Sequence, residues 1–111
     1  MAYDKNLAAR MRQILDELNP PSLTEKHMFG GVGYLVQGNM ACGVHKDELI
    51  IRVGPEAYID SLNRPGARPF DLTGRPMNGW VSVRSAGFET DQSLRDWIEQ
   101  GLAFAKTLPA K

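Results

Sequence analysis

One cysteine, Cys42, stands in 111 residues. That excludes an internal disulfide framework and fits a reducing, cytoplasmic setting. Neither sign of charge is in excess, since thirteen Lys and Arg balance thirteen Asp and Glu. The balance leaves no overall field to gather nucleic acid or an anionic membrane, so DNA binding would need a local patch. Long hydrophobic runs are missing too, the apolar stretches lasting only a few residues against the ~20 a membrane span needs. Met1 to Arg12 is mixed and charged, with no apolar signal core. The expectation is a small soluble domain of the cytoplasm, a single one over residues 1–111.

What is present is organised around the stretch from Met28 to Val53. Apolar runs at Met28–Gln37, Met40–His45 and Leu49–Val53 are separated by Gly38-Asn39 and Lys46-Asp47-Glu48. Short apolar runs with tight polar or glycine-bearing breaks read as an antiparallel meander. Gly38-Asn39 has the order of a type II′ hairpin turn. Gly30-Gly31 falls inside the first run, where glycine marks a bulge or a close approach of backbones. Strand alternation puts Met40, Cys42 and Val44 on one face and Ala41, Gly43 and His45 on the other. Leu49, Ile51 and Val53 share a face, with Ile50 and Arg52 opposite.

Helices are expected before and after the meander in the chain. Leu7, Met11, Ile14, Leu15 and Leu18 line one side of a helix over Tyr3–Leu18, which Asn19-Pro20-Pro21 stops. Ser22–Lys26 reads as a brief turn into the sheet. A second helix runs from Gly54-Pro55 to about Leu62. Phe70 and Leu72 suggest a short edge strand, joined around Thr73-Gly74 or by a wider loop to a strand at Trp80–Arg84. Leu94, Trp97, Ile98, Leu102, Ala105 and Leu108 mark a closing helix capped by Thr90 or Asp91. The predicted order is α-β-β-β-α-β-β-α. It describes a two-layer α+β fold, with an antiparallel sheet of five strands and the helices on one face.

The chemistry-bearing residues form no catalytic pattern. Cys42 and His45 are three apart in a strand and so project to opposite faces, which favours a core cysteine and a surface histidine over a shared metal. Gly30-Gly31-Val32-Gly33 invites comparison with phosphate-binding loops, but strand-like residues follow it rather than a helix N-terminus. The serines lie in no nucleophile-elbow pattern, and neither His27 nor His45 has an evident partner. Asp47-Glu48 reads as a solvated turn. No catalytic, cofactor-binding or metal-ligating residue is expected. Arg52, Arg64, Arg68, Arg75 and Arg84 crowd the middle of the chain against Glu56, Asp60 and Asp71, a pattern that suits phosphate or merely solvated loops.

One surface stands out. If the helices cover the Leu49/Ile51 and Val81/Val83 side, the opposite face carries Ile50, Arg52, Trp80, Ser82, Arg84 and His45. Tryptophan and arginine beside an isoleucine resemble the composition of a partner surface. The competing reading is that a loop or the chain's own ends cover it.

The motif His27-Met28-Phe29-Gly30-Gly31-Val32-Gly33-Tyr34, with Gly38-Asn39-Met40-Ala41 and Leu49-Ile50-Ile51-Arg52-Val53, resembles the N-terminal domain of the TfoX/Sxy proteins. Arg68-Pro69-Phe70, Met77, Trp80-Val81-Ser82-Val83 and a closing helix with Trp97 extend the likeness over nearly the whole chain. The resemblance implies helices on one side of a strongly bent antiparallel sheet. It also implies a bacterial role in regulating natural competence, where full-length members act with the cyclic-AMP receptor protein. Those members carry a further helical domain C-terminal to this one, so the chain corresponds to a stand-alone N-terminal domain. The resulting expectation is a non-enzymatic regulatory domain acting through a protein partner or self-association. A nucleic-acid-binding accessory module using the central arginines is the first alternative. A small-ligand domain with a pocket at the glycine-rich bend is the second.

Overall fold

A computed structural model describes residues 3–28, 30–71 and 74–111. The elements run α1 (Lys5–Leu18), β1 (Leu23–Met28), β2 (Gly31–Val36), β3 (Asn39–His45), β4 (Glu48–Arg52), α2 (Tyr58–Leu62), β5 (Ala67–Pro69), β6 (Trp80–Val83) and α3 (Asp91–Lys106). The strands form one antiparallel sheet in the order β1-β2-β3-β4-β6-β5, so the class is α+β as the sequence suggested.

Helix ends follow local chemistry. The Asp4 carboxylate accepts hydrogen bonds from the backbone N–H of Asn6 and Leu7 at 2.9 and 3.1 Å, satisfying free donors of the first turn of α1. Asn19 closes that helix in the left-handed region at φ 47°, its N–H bonded to the Leu15 carbonyl. Thr90 caps α3 by accepting from the Ser93 N–H at 3.0 Å. The second helix is shorter than expected, because Pro55–Ala57 form a turn ahead of it. Among the described residues, no helix is long and apolar enough to cross a membrane.

Among the described residues the sheet has six strands, against the five expected. The extra one is β1, where the sequence suggested a turn at Ser22–Lys26. Thr24, Glu25, Lys26 and His27 are exposed on an edge strand, which is held by backbone pairing to β2 and so needs little apolar alternation. The run Met28–Gln37 is thus divided between two strands. Gly30, at φ 76°, lies in the turn between them. The next hairpin turns on Gln37-Gly38 rather than Gly38-Asn39: Val36 pairs with Asn39, and both intervening residues have positive φ, as in a type I′ turn. The short edge strand is Ala67–Pro69, ending immediately before Phe70, and it pairs with β6. Phe29, Leu72 and Thr73 lie outside the described residues.

The bulge is displaced from the glycines. Tyr34 pairs with Cys42 but Leu35 pairs with Met40, which leaves Ala41 unmatched on β3. An extra residue shifts the alternation by one. Ala41 therefore joins Cys42 and Val44 in the core, and Met40 turns to the other face. There its Cε would stand 3.2 and 3.0 Å from a Cβ added at Gly33 and Gly43, two glycines paired across β2 and β3.

All three helices pack on the face opposite those glycines. Leu7, Met11 and Leu15 of α1 and Leu94, Trp97, Ile98 and Leu102 of α3 meet Tyr34, Val36, Cys42, Leu49, Ile51, Val81 and Val83 in one cluster. Tyr58 and Leu62 of α2 pack against its margin. Ion pairs Arg10–Asp91 and Arg95–Glu17 tie α1 to α3 at its outer rim. Among the described residues, no helix lies over the other side of the sheet.

Candidate functional site

The uncovered face is built by strand alternation. Residues paired across the sheet share a face, so Lys26 and Met28 lie beside Gly33 and Gly31, and His45, Glu48, Ile50 and Arg52 line up with Ser82, Trp80 and Arg68. Of the four residues singled out from the sequence, three reach the surface. Arg52 and Trp80 are half-buried and Arg84 is exposed. Ile50 is only 2% exposed, although it stands outside the helix-side core cluster. On the same face, the Phe70 ring lies 6.1 Å from the His45 ring and 6.4 Å from that of Trp80. Ile50 is thus buried, whereas the other three are accessible.

Arg52 occupies a defined slot. Its guanidinium carbon is 5.2 Å from the Trp80 ring centre and 5.5 Å from that of Phe104, on α3. A cation held over two aromatic faces keeps its charge while losing rotamer freedom. The cation and the tryptophan are thus presented together.

A second group adjoins it. Arg68 donates from Nε and Nη2 to the two Glu48 carboxylate oxygens, each at 3.1 Å, and the Ser82 hydroxyl donates to Glu48 as well. Asp71 stands 3.6 Å from Arg68. Burial acts to raise the Glu48 carboxyl, but hydrogen bonds from Arg68 and Ser82 and the charges of Arg68 and Arg84 outweigh it, so its pKa falls below the ordinary value. Glu48 is thus a fixed carboxylate, not the solvated turn residue expected. These groups, with His45, Lys46 and Phe70, line a cavity of ≈ 350 Å³.

Other candidate groups are not brought together. Cys42 faces the helices, fully buried, and burial pushes its thiol up to about 12, whereas His45 lies on the opposite face. His27 is on edge strand β1, 6.0 Å from the Tyr3 ring. The five central arginines do not form one patch. Arg64 stacks over Trp97 on the helix side at 3.5 Å, and Arg68 is held by Glu48. Gly31 and Gly33 continue into β2 with no helix N-terminus beside them; a Cβ on Gly31 would run into the Val44 carbonyl, so the run serves close strand packing. Among the described residues, no group of three or more His, Cys, Asp or Glu side chains is placed to hold a metal.

Sequence reasoning missed Glu48, Phe70, Met28, Met40 and Phe104 as parts of this face. The alternation that places Ile50 and Arg52 extends to Glu48, but nothing local connects Glu48 to Arg68, 20 residues away. The bulge at Ala41 hid Met40.

No curated protein matches this chain. The family model of the TfoX N-terminal domain matches residues 13–105, a segment running from within α1 almost to the end of α3 and including every strand of the sheet. By that match, the chain belongs to the TfoX N-terminal domain family.

Proposed function

We propose that this domain is a non-enzymatic regulatory module that works through protein contacts made by the uncovered sheet face. The observation that carries the reading is Arg52 held between Trp80 and Phe104, with the tryptophan left half-open. Tryptophan and arginine dominate the energetics of protein interfaces, because they desolvate large areas while fixing orientation. The reactive groups nearby are already committed. Ser82 donates to Glu48, Glu48 is neutralised by Arg68, and the Cys42 thiol is enclosed in the core. Membership of the TfoX N-terminal domain family supports a place in the regulation of natural competence.

The test compares two baits, the wild type and Trp80→Ser, in lysate of the source cells, with retained proteins quantified by mass spectrometry. A protein held by the wild type and lost with Trp80→Ser supports the reading. Equal retention by both baits, together with a monomer at every concentration in sedimentation velocity, counts against it.

A further inference from the structure

Charge is used differently on the two sides of this neutral chain. On the helix side, Arg10, Arg12 and Arg95 each bond a carboxylate, and Asp16, Glu17, Asp96 and Glu99 are exposed. On the uncovered face and its turns, Lys26, Lys46, Arg52 and Arg84 form no ion pair among the described residues. Of the carboxylates there, Glu48 and Asp71 converge on Arg68, while Asp47 stands exposed beside Lys46 in the turn. Lys5 and Lys106 of α1 and α3 form no ion pair among the described residues either. On the uncovered face and its turns, however, the cations Lys26, Lys46, Arg52, Arg68 and Arg84 outnumber the carboxylates Asp47, Glu48 and Asp71 and are interleaved with Trp80, Phe70, Met28 and Met40. Such separation steers a partner of opposite sign even where net charge is zero.

We infer that this face docks an acidic peptide segment of a partner protein, one that also carries aromatic or aliphatic side chains. The assignment rests on the protein-contact reading above. Carboxylates of the segment pair with Lys46, at the rim of the ≈ 350 Å³ cavity, and with Arg84, close enough to act on Glu48. An apolar side chain lies against Trp80, whose other neighbours, Arg52 and Phe70, are already in place. Met28 and Met40 supply adaptable apolar surface, since both lie over the Gly33–Gly43 pair with no branched side chain to fix their shape. Nucleic acid is the less suitable occupant. Its phosphates need a denser positive surface, and the Glu48 and Asp71 carboxylates interrupt this one.

The two tryptophans make the test internally controlled. Trp97 is 1% exposed and its indole N–H donates to the Gly87 carbonyl at 3.2 Å, whereas Trp80 is on the face in question. Titrating ¹⁵N-labelled protein at low salt with a random copolymer of glutamate and tyrosine should shift the Trp80 indole resonance and leave that of Trp97 in place. Lys46→Asn combined with Arg84→Ser removes two exposed cations, asparagine suiting the φ of 56° at position 46. This variant should keep the Trp97 resonance, which reports an intact fold, and weaken the copolymer by at least about tenfold. An unmoved Trp80 resonance, or equal binding by the variant, overturns the inference. So does a DNA duplex that shifts Trp80 at lower concentration than the copolymer. A silent copolymer beside a clear difference between the two baits removes the acidic partner and leaves the protein-contact face standing.

Discussion

The Ala41 carbonyl oxygen lies 2.5 Å from the place a Cβ on Gly101 would occupy. Helix α3 therefore crosses β3 with its backbone closer than any side chain permits, at the residue that forms the bulge. Glycine inside a helix costs about 1 kcal/mol relative to alanine, so Gly101→Ala gains that much in propensity. It must also push the helix off a carbonyl, and overpacking a tight contact costs roughly 1–3 kcal/mol. The close backbone contact decides the sign: Gly101→Ala is expected to lower the urea midpoint. An unchanged or higher midpoint would mean that the helix moves away freely.

Arg64 is a structural arginine. Its guanidinium carbon sits 3.5 Å from the Trp97 ring centre and its Nη1 donates to Gln100 at 2.7 Å. Gln100 in turn donates to the buried Ser61 at 3.0 Å. Arg64→Ala removes the stacked cation and loosens this chain, with an expected loss of about 1–3 kcal/mol in denaturant unfolding. Arg64→Lys should recover only part of it, since an ammonium lacks the planar face that stacks on the indole. Full recovery by lysine would reduce the interaction to charge alone.

How much of this was legible in the sequence depends on whether a signal was local. The stripes of α1 and α3 are periodic in single side chains, and so are the alternations that put Arg52 and Trp80 on the uncovered face. β1 was not legible, because an exposed edge strand is held by backbone hydrogen bonds and carries polar residues on both sides. The bulge at Ala41 was invisible for a different reason: one unmatched residue reverses the face of Met40 without altering the composition. The pairing of Glu48 with Arg68, and the approach of the Phe70 ring to His45, join residues distant in the chain. Only the assembled sheet brings them together.

The buried Cys42 thiol, pushed up to about 12 by burial, is expected to be inert in the native protein. A colorimetric disulfide reagent at neutral pH should label no thiol until urea unfolds the chain, and then should label the single cysteine. Rapid stoichiometric labelling without urea would show that the helix layer opens readily over β3.

Glu48 links stability to pH in a stated direction. Its folded pKa lies below the ordinary value, while in the unfolded chain it titrates near about 4.3. Above that pH both states carry the carboxylate, and the stabilisation from Arg68 and Ser82 is fully present. As pH falls through the unfolded value and then the folded one, the unfolded state takes up the proton first, so the contribution is progressively lost. Glu48→Gln keeps the shape but not the charge. It leaves Arg68 with a neutral partner, at an expected cost of about 1–3 kcal/mol at pH 7, with solvent screening at the half-exposed Arg68 favouring the lower end. The gap in urea midpoint between wild type and Glu48→Gln should therefore be widest near neutrality and close as pH drops below about 4. A gap that stays constant from pH 7 to pH 3 would place the acid sensitivity of the fold on other carboxylates.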